Sequence, residues 1–275
     1  MNSLIFKSNF DWSITERKFC LFVPNFHRKK YVEYTLAQIE TVVPKEDWII
    51  IIGNDNCDDN FEHLADRNIF YFSLLSSNDS ERNGCFIRNY FIKRVRSKVI
   101  AQKDPEVIVC GDFIKNWLEI TQCQRAGRIK VLDTNVTSEC FKRYDMFPLQ
   151  LVCDMKITPY MSSDARVIQH CAIAPAGVVF TNYFHYLYAA PTELLKKLRG
   201  YDETFIKFGY EDSDIFCRLF ADQNAIWPNY NITACHLYHS GNKISGDLEK
   251  MTTLFKSKDT NQVVRNSLEW GEGNS

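Results

Sequence analysis

Two uninterrupted apolar runs, Phe19-Cys20-Leu21-Phe22-Val23 and Trp48-Ile49-Ile50-Ile51-Ile52, constrain this chain more than any other feature. Continuous runs of this kind suit strands covered on both faces, as in a parallel sheet. The first ends at Pro24 and the second at Gly53. Between them, residues 30–41 fit a crossover helix that packs through Tyr31, Tyr34, Leu36 and Ile39. Strand, helix and strand in that order imply a right-handed unit.

The alternation continues. Ile69 to Leu75 reads as a third strand, and residues 84–96 as a helix with Phe86, Ile87, Tyr90, Phe91 and Val95 on one stripe. Lys98 to Gln102 is a short strand. Phe113, Ile114, Trp117, Leu118 and Thr121 mark another helix, and Ile129 to Leu132 a further strand. Through residue 135 the pattern is α/β. The stretch 136–176, with Pro148, Pro159 and Pro175, reads as loops and short strands. Beyond it come a strand over Val178 to Tyr188, a helix opening at Pro191-Thr192-Glu193, and a loop from Gly200 to Gly209. A helix from about Glu211 to Phe220 and strand-like runs around Ile226 and Thr233 to His239 follow. The polar tail after Lys256 reads as frayed.

Composition narrows the function classes. With 45% hydrophobic and 24% charged residues, the 275-residue chain is an ordinary globular protein, which excludes disordered and collagen-like classes. Its 33 basic and 34 acidic residues leave a net charge of −1, which argues against binding nucleic acid through the phosphate backbone. Ten cysteines are scattered singly with no CxxC pair, so zinc ribbons and dithiol chemistry lose support. The expectation is reduced thiols and a cytoplasmic location. The N-terminus lacks a basic-then-apolar leader, and no apolar stretch reaches 18 residues. The sequons at Asn135 and Asn231 would matter only in a secreted protein.

Five clusters carry chemistry. Pro24-Asn25-Phe26-His27-Arg28 follows the first strand, and Asn54-Asp55-Asn56-Cys57-Asp58-Asp59 the second. Ligands of open parallel sheets sit outside the carboxyl ends of the strands, where both clusters fall. Turn chemistry explains either cluster equally well. Neither is a GxGxxG or a P-loop, which disfavours dinucleotide and Walker-type sites. Asp104-Pro105-Glu106 ends a strand with two carboxylates one residue apart, either an acidic turn or a hard-oxygen site for Mn²⁺ or Mg²⁺. Nearby Asp112 reads as a helix cap. Gly209-Tyr210-Glu211-Asp212-Ser213-Asp214 puts three acids at a helix start. They complement the helix dipole, Asp214 can pair with Arg218, and a carboxylate there can also act as a general base. His236-Leu237-Tyr238-His239 would need a bend for both imidazoles to meet one ion.

Taken in order, these residues resemble an inverting glycosyltransferase of the GT-A fold, close to the family-2 class. The N-terminal counterparts of its motifs are Pro24 to Arg28, Asn54 to Cys57, Ile87-Arg88-Asn89 and Asp104-Pro105-Glu106. The second half is similar to the galactosyltransferase-type pattern Gly-Gly-Phe-Asp-Glu, then Gly-Trp-Gly-Glu-Asp-x-Asp. Here it reads Gly200-Tyr201-Asp202-Glu203, then Phe208-Gly209-Tyr210-Glu211-Asp212-Ser213-Asp214. The Met-x-x-His segment that completes the metal site in β-1,4-galactosyltransferases has the spacing of His236 to His239. Four departures stand out: Asn54 and Glu106 each replace an Asp, Phe208 stands for Trp, and Tyr210 stands near the usual Gly.

The resemblance implies one Rossmann-like α/β GT-A domain, a mostly parallel central sheet flanked by helices. Residues 18–135 would bind the nucleotide sugar, 136–242 the acceptor, and 243–275 would form a tail. It implies sugar transfer from a nucleoside-diphosphate donor, with UDP favoured, to a hydroxyl of a saccharide or glycoconjugate. Pro24, Asn25, Arg28, Asn54, Asp55, Asn56, Arg88 and Asp104 would meet the donor. Asp104, Glu106 and His239, with His236 second, would hold Mn²⁺ or Mg²⁺. Asp212 would be the base, and Glu211, Phe208, Tyr210 and Asp214 would meet the acceptor. Two rivals use the same residues: a sugar nucleotidyltransferase, and a non-catalytic carbohydrate-binding protein on this fold. The sugar, the linkage, the oligomeric state and any peripheral membrane contact are left open by the sequence.

Overall fold

The computed structural model describes residues 5–37, 44–75, 84–109, 126–134, 156–161, 168–173, 179–183, 187–206, 209–221, 225–236, 245–259 and 262–272. The first half runs β1 (Ile5–Ser8), β2 (Phe19–Asn25), α1 (Lys29–Ala37), β3 (Trp48–Asp55), β4 (Ile69–Leu75), α2 (Gly84–Arg94), β5 (Val99–Lys103) and β6 (Val107–Val109). The second half runs β7 (Ala126–Thr134), β8 (Lys156–Met161), β9 (Ile168–Ile173), β10 (Val179–Tyr183), β11 (Leu187–Pro191), α3 (Thr192–Lys197), α4 (Glu211–Ala221), β12 (Ala225–His236) and α5 (Ser245–Ser257). The helix expected over Phe113 to Thr121 and the cap at Asp112 lie outside the described residues.

The twelve strands among the described residues form one sheet in the order β1-β4-β3-β2-β5-β11-β7-β10-β9-β8, with β12 pairing β6 and β7. Its heart is the parallel set β4-β3-β2-β5. The apolar runs sit there because both of their faces are covered. Cys20, Phe22, Ile49, Ile51 and Ile100 pack on one side against α2, α3, α4 and Met251 of α5. Phe19, Leu21, Val23, Ile50, Ile52 and Val99 pack on the other against Val32 and Leu36 of α1, with Phe61 and Leu64. Successive side chains of a strand point to opposite faces, so a two-sided core needs an unbroken apolar run.

Parallel pairing does not extend across the whole sheet. β11 is antiparallel to both β5 and β7, and β10, β9 and β8 continue antiparallel. The run Val178 to Tyr188 divides into β10 and β11, which lie on opposite sides of β7. The two runs expected around Ile226 and Thr233 are one strand, β12, whose register against β7 shifts twice. No described helix is long and apolar enough to cross a membrane. Cys20, Cys57, Cys85 and Cys217 are free thiols.

The C-terminal stretch departs from the frayed tail expected of it. Trp270 is buried in the core beside α2. Lys93 Nζ donates to Trp270 O at 2.9 Å, and Arg94 Nη1 to Gly271 O at 2.9 Å. Glu272 pairs with both cations, at 2.9 and 2.6 Å. Basic residues in the last turn of α2 are placed where the helix dipole favours them, and the tail supplies their acceptors.

Candidate functional site

The parallel strands β2, β3 and β5 end side by side, and the first three clusters follow from their ends. Asn25 and Asn54 lie at the tips of β2 and β3, register partners across the pair. Asn25 Nδ2 donates to Asn54 Oδ1 at 2.7 Å and to Asp59 Oδ2 at 2.9 Å. Its Oδ1 accepts from the Arg28 backbone N–H at 3.0 Å. Asn54 Nδ2 donates to Asp59 O at 2.8 Å and to Ser73 Oγ at 2.9 Å. Both asparagines are fully buried with their carboxamides consumed inside the protein. They support the end of the β2–β3 pair from within, and the donor contact expected of them is not tested by this geometry. An Asp at position 54 would have no donor for Ser73 Oγ and Asp59 O. Pro24 is buried within β2 and Asp55 is buried at the end of β3. Asn56 turns the chain with φ 52° and donates its N–H to Leu74 O at 2.9 Å.

Asp104 follows β5 directly. Lys103, fully buried, anchors that turn: its Nζ donates to Thr35 Oγ1 and to Asp104 O, both at 2.9 Å. Burial drops the Lys103 ammonium to about 7, partly countered by Glu106 and Asp104. Sequence reading missed Lys103, the last residue of β5. Glu106 is buried and pairs through Oε1 with Arg28 Nε at 3.0 Å. Arg28 thus meets a carboxylate of the acidic motif. His236 lies opposite Val107 in the β6–β12 pairing, one residue from Glu106. His239 lies outside the described residues.

α2 and α4 close the site from the other face. Arg88 is buried on α2, with Nη2 3.6 Å from Asp104 Oδ1 and its guanidinium 5.3 Å from the Tyr201 ring centre. Burial opposes its charge, but Asp212, Tyr201, Asp104 and Glu211 together raise its pKa above the ordinary value. Asp212, at the start of α4, is half-buried as a residue, but its Oδ1 is buried with no hydrogen-bond partner. Burial pushes its carboxyl up to about 8; Arg88 pulls it down, while Glu211 and Asp104 push it further up. Asp104 and Asp212, 108 residues apart in the numbering of the chain, therefore act on one guanidinium.

The remaining acids of α4 separate. Glu211 Oε2 accepts from Gly209 N at 2.8 Å and caps the turn. Asp214 is buried, 2.8 Å from Arg218 Nε and 3.6 Å from Arg265 Nε. It belongs to an internal ion-pair cluster, which makes the i,i+4 pairing expected of it with Arg218. Tyr210 is exposed and stacks on Phe255 of α5 with ring centres 5.1 Å apart. Phe208 lies outside the described residues. Among the described residues no three His, Cys, Asp or Glu side chains converge as a complete metal cage.

Asn89 locks the two halves. Its Oδ1 accepts from Tyr201 N at 2.7 Å, and its Nδ2 donates to Tyr201 O at 2.8 Å and Glu203 Oε1 at 2.9 Å. The Tyr201 hydroxyl lies 3.1 Å from Gln102 Oε1 and 2.9 Å from the Tyr188 hydroxyl. Gln102 and Tyr188 went unnoticed in the sequence because only sheet register brings β5 and β11 together.

No protein-family model and no curated protein matches the chain. Solved structures do. S. aureus TarS 1-349 in complex with UDP superposes with a TM-score of 0.52 and 14% identity, over 79% of this chain and 60% of that one. Its complex with UDP-GlcNAc gives 0.52 at 13% identity, over 83% and 60%. The mannosyltransferase PcManGT from Pyrobaculum calidifontis, in complex with GDP-Man and Mn2+, gives 0.50 at 15% identity, over 81% and 58%. The chain spans about 60% of the length of these structures. What the likeness shows is the fold: this chain has the α/β, GT-A-like architecture of those glycosyltransferases.

Proposed function

We propose that the protein is a metal-dependent inverting glycosyltransferase that moves a sugar from a nucleoside-diphosphate donor, UDP-linked by preference, to a hydroxyl of a saccharide or glycoconjugate. The observation that carries this reading is the meeting of Asp104 and Asp212 around buried Arg88, beyond the ends of the parallel strands. The fold shared with TarS in complex with UDP and UDP-GlcNAc, and with PcManGT in complex with GDP-Man, supports it.

In this reading Arg88 holds the diphosphate by charge-assisted hydrogen bonds. Asp55 accepts from the nucleotide base, and Asn25 and Asn54 keep that strand end rigid. Asp212 takes the proton of the acceptor hydroxyl at Oδ1 as the oxygen attacks the anomeric carbon in line. A raised carboxyl pKa suits a base that must hold the proton it takes. Tyr210 offers a ring face to a sugar, with Glu211 beside it. Asp104 and Glu106, with an imidazole from His236 or His239, would hold a divalent cation. The oxygen donors fit Mg²⁺ or Mn²⁺, which take one or two carboxylates and complete their shell with water and phosphate, and the imidazole favours Mn²⁺. When bound, such an ion supplies Lewis-acid stabilisation of the departing diphosphate.

The test is a thermal-shift screen of UDP, UDP-GlcNAc and GDP-mannose with and without Mn²⁺, followed by an assay of nucleoside-diphosphate release. A native-state ligand should raise apparent stability, and more so with Mn²⁺. Asp212→Asn should lower turnover by about 10²–10⁴-fold and keep the thermal shift. Full turnover in excess EDTA would reject the metal, and an active Asp212→Asn enzyme would reject the base.

A further inference from the structure

The turn that carries Asp104 and Glu106 is held from beneath by side chains with no part in the transfer itself. A turn that only reversed the chain between β5 and β6 could rely on its own bond, from Val107 N to Asp104 O at 3.1 Å. Here two fully buried side chains are added, Lys103 at the end of β5 and Thr35 in α1. Lys103 Nζ has three protons and no acceptor, and it donates to Thr35 Oγ1 at 2.9 Å, to Asp104 O at 2.9 Å and to Pro105 O at 3.4 Å. Thr35 Oγ1 accepts from Lys103 and turns its own proton to Pro105 O at 2.8 Å, nearer than Val32 O of its own helix at 3.3 Å. Both carbonyls between Asp104 and Glu106 are thus held by groups from two elements far apart in the chain. The other end of α1 reaches the same segment: Arg28, whose carbonyl accepts from Tyr31 N and Val32 N, pairs with Glu106 Oε1 at 3.0 Å. A buried ammonium is costly unless its protons are bonded, and here the carbonyls of the acidic turn are what bonds them.

We infer that Thr35 and Lys103 are positioning residues for the divalent cation: together they fix the main chain between Asp104 and Glu106, and with it the spacing at which the two carboxylates meet one ion. This rests on the functional reading above. Groups behind the ligating side chains orient them and set the affinity of a metal site. Pro105 has no N–H of its own, so its peptide cannot be tied down by a main-chain donor there, and its carbonyl is fixed by the two side chains instead. Of the pair, Thr35 is the one whose hydrogen bonds can be removed without changing charge. Loss of the Lys103 ammonium would by itself favour a nearby cation and hide the loss of positioning.

The experiment titrates Mn²⁺ and follows the thermal shift produced by UDP and by GDP-mannose in wild type, Thr35→Val and Thr35→Ser. Val keeps the shape and loses the hydroxyl; Ser keeps the hydroxyl and loses a methyl group. Thr35→Val should raise the Mn²⁺ concentration at half-maximal shift by about 3- to 10-fold, the net worth of one hydrogen bond, and reach the wild-type shift at saturating Mn²⁺. Thr35→Ser should keep the wild-type half-point even where the missing methyl group lowers the melting temperature of the metal-free protein. A purely structural role would lower that melting temperature in Thr35→Val and leave its half-point at the wild-type value, a result that overturns the inference while the transferase reading stands. A half-point raised equally in Thr35→Ser overturns it too, because the hydroxyl would not be the cause. Should Thr35→Val not fold, Thr35→Ala takes its place with the same outcomes. A wild type whose shift with both probes is independent of Mn²⁺ overturns the metal in the functional reading, and the inference with it.

Discussion

At the scale of single residues, burial sorted what the sequence left together. Glu211, Asp212 and Asp214 are three acids in four positions, indistinguishable by type or by the dipole they complement. Half a turn of helix separates their fates. Asp214 faces Arg218 in the interior, while Asp212 faces Arg88 and keeps an oxygen without a partner. This has a pH signature. Burial raises the Asp212 carboxyl from 3.8 in the unfolded chain to about 8 in the folded one, so between those values the folded state holds more protons. Its contribution to stability is complete below about 4 and is lost as pH rises toward 8. Without nucleotide, Asp212→Asn should therefore gain stability relative to wild type between pH 5 and about 8, as read by urea unfolding at each pH. A stability difference that is flat across that window would contradict the placement of Asp212.

At the scale of elements, the strap between α2 and the turn after α3 matters most. Gly200 has φ +65°, and a Cβ there would lie 2.1 Å from Asn89 Oδ1. Both its conformation and its neighbour exclude a side chain, because the Asn89 clamp needs the turn backbone in contact with α2. Gly200→Ala should cost about 1–3 kcal/mol from backbone strain alone, with the clash added, measurable by chemical denaturation. It should also weaken nucleotide binding, since the same clamp carries Arg88. The motifs Ile87-Arg88-Asn89 and Gly200-Tyr201 were legible separately; that they answer one another was not, because 112 positions separate Asn89 from Tyr201. The split of Val178 to Tyr188 into β10 and β11 was hidden for a similar reason. Both pieces are apolar and strand-forming, and only the pairing partners show that β7 runs between them.

Taken as a whole molecule, the C-terminal segment 262–272 holds the two halves together. Arg265 meets Asp214, Asn266 Nδ2 donates to Arg199 O at 2.7 Å, Gly271 N donates to Glu203 Oε1 at 2.8 Å, and Trp270 fills the core beside α2. Trp270→Ala should lose about 3–5 kcal/mol in denaturant unfolding. Because the segment braces both α2 and the Glu203 turn, donor affinity should fall with it even though Trp270 is remote from the strand ends. A variant with wild-type stability would mean that the segment is ornamental to the fold.

The unbroken apolar runs, the helix stripe over residues 84–96 and the polar clusters after each strand determined the parallel core and the end of it where a ligand would sit. Those features are local, and side-chain period and turn chemistry read them directly. Which acids face the site, which asparagines vanish beneath it, how β7 to β12 pair and where the tail lies depend on contacts between residues far apart in the chain. Burial and long-range hydrogen bonds decide them, and no window of sequence contains both partners.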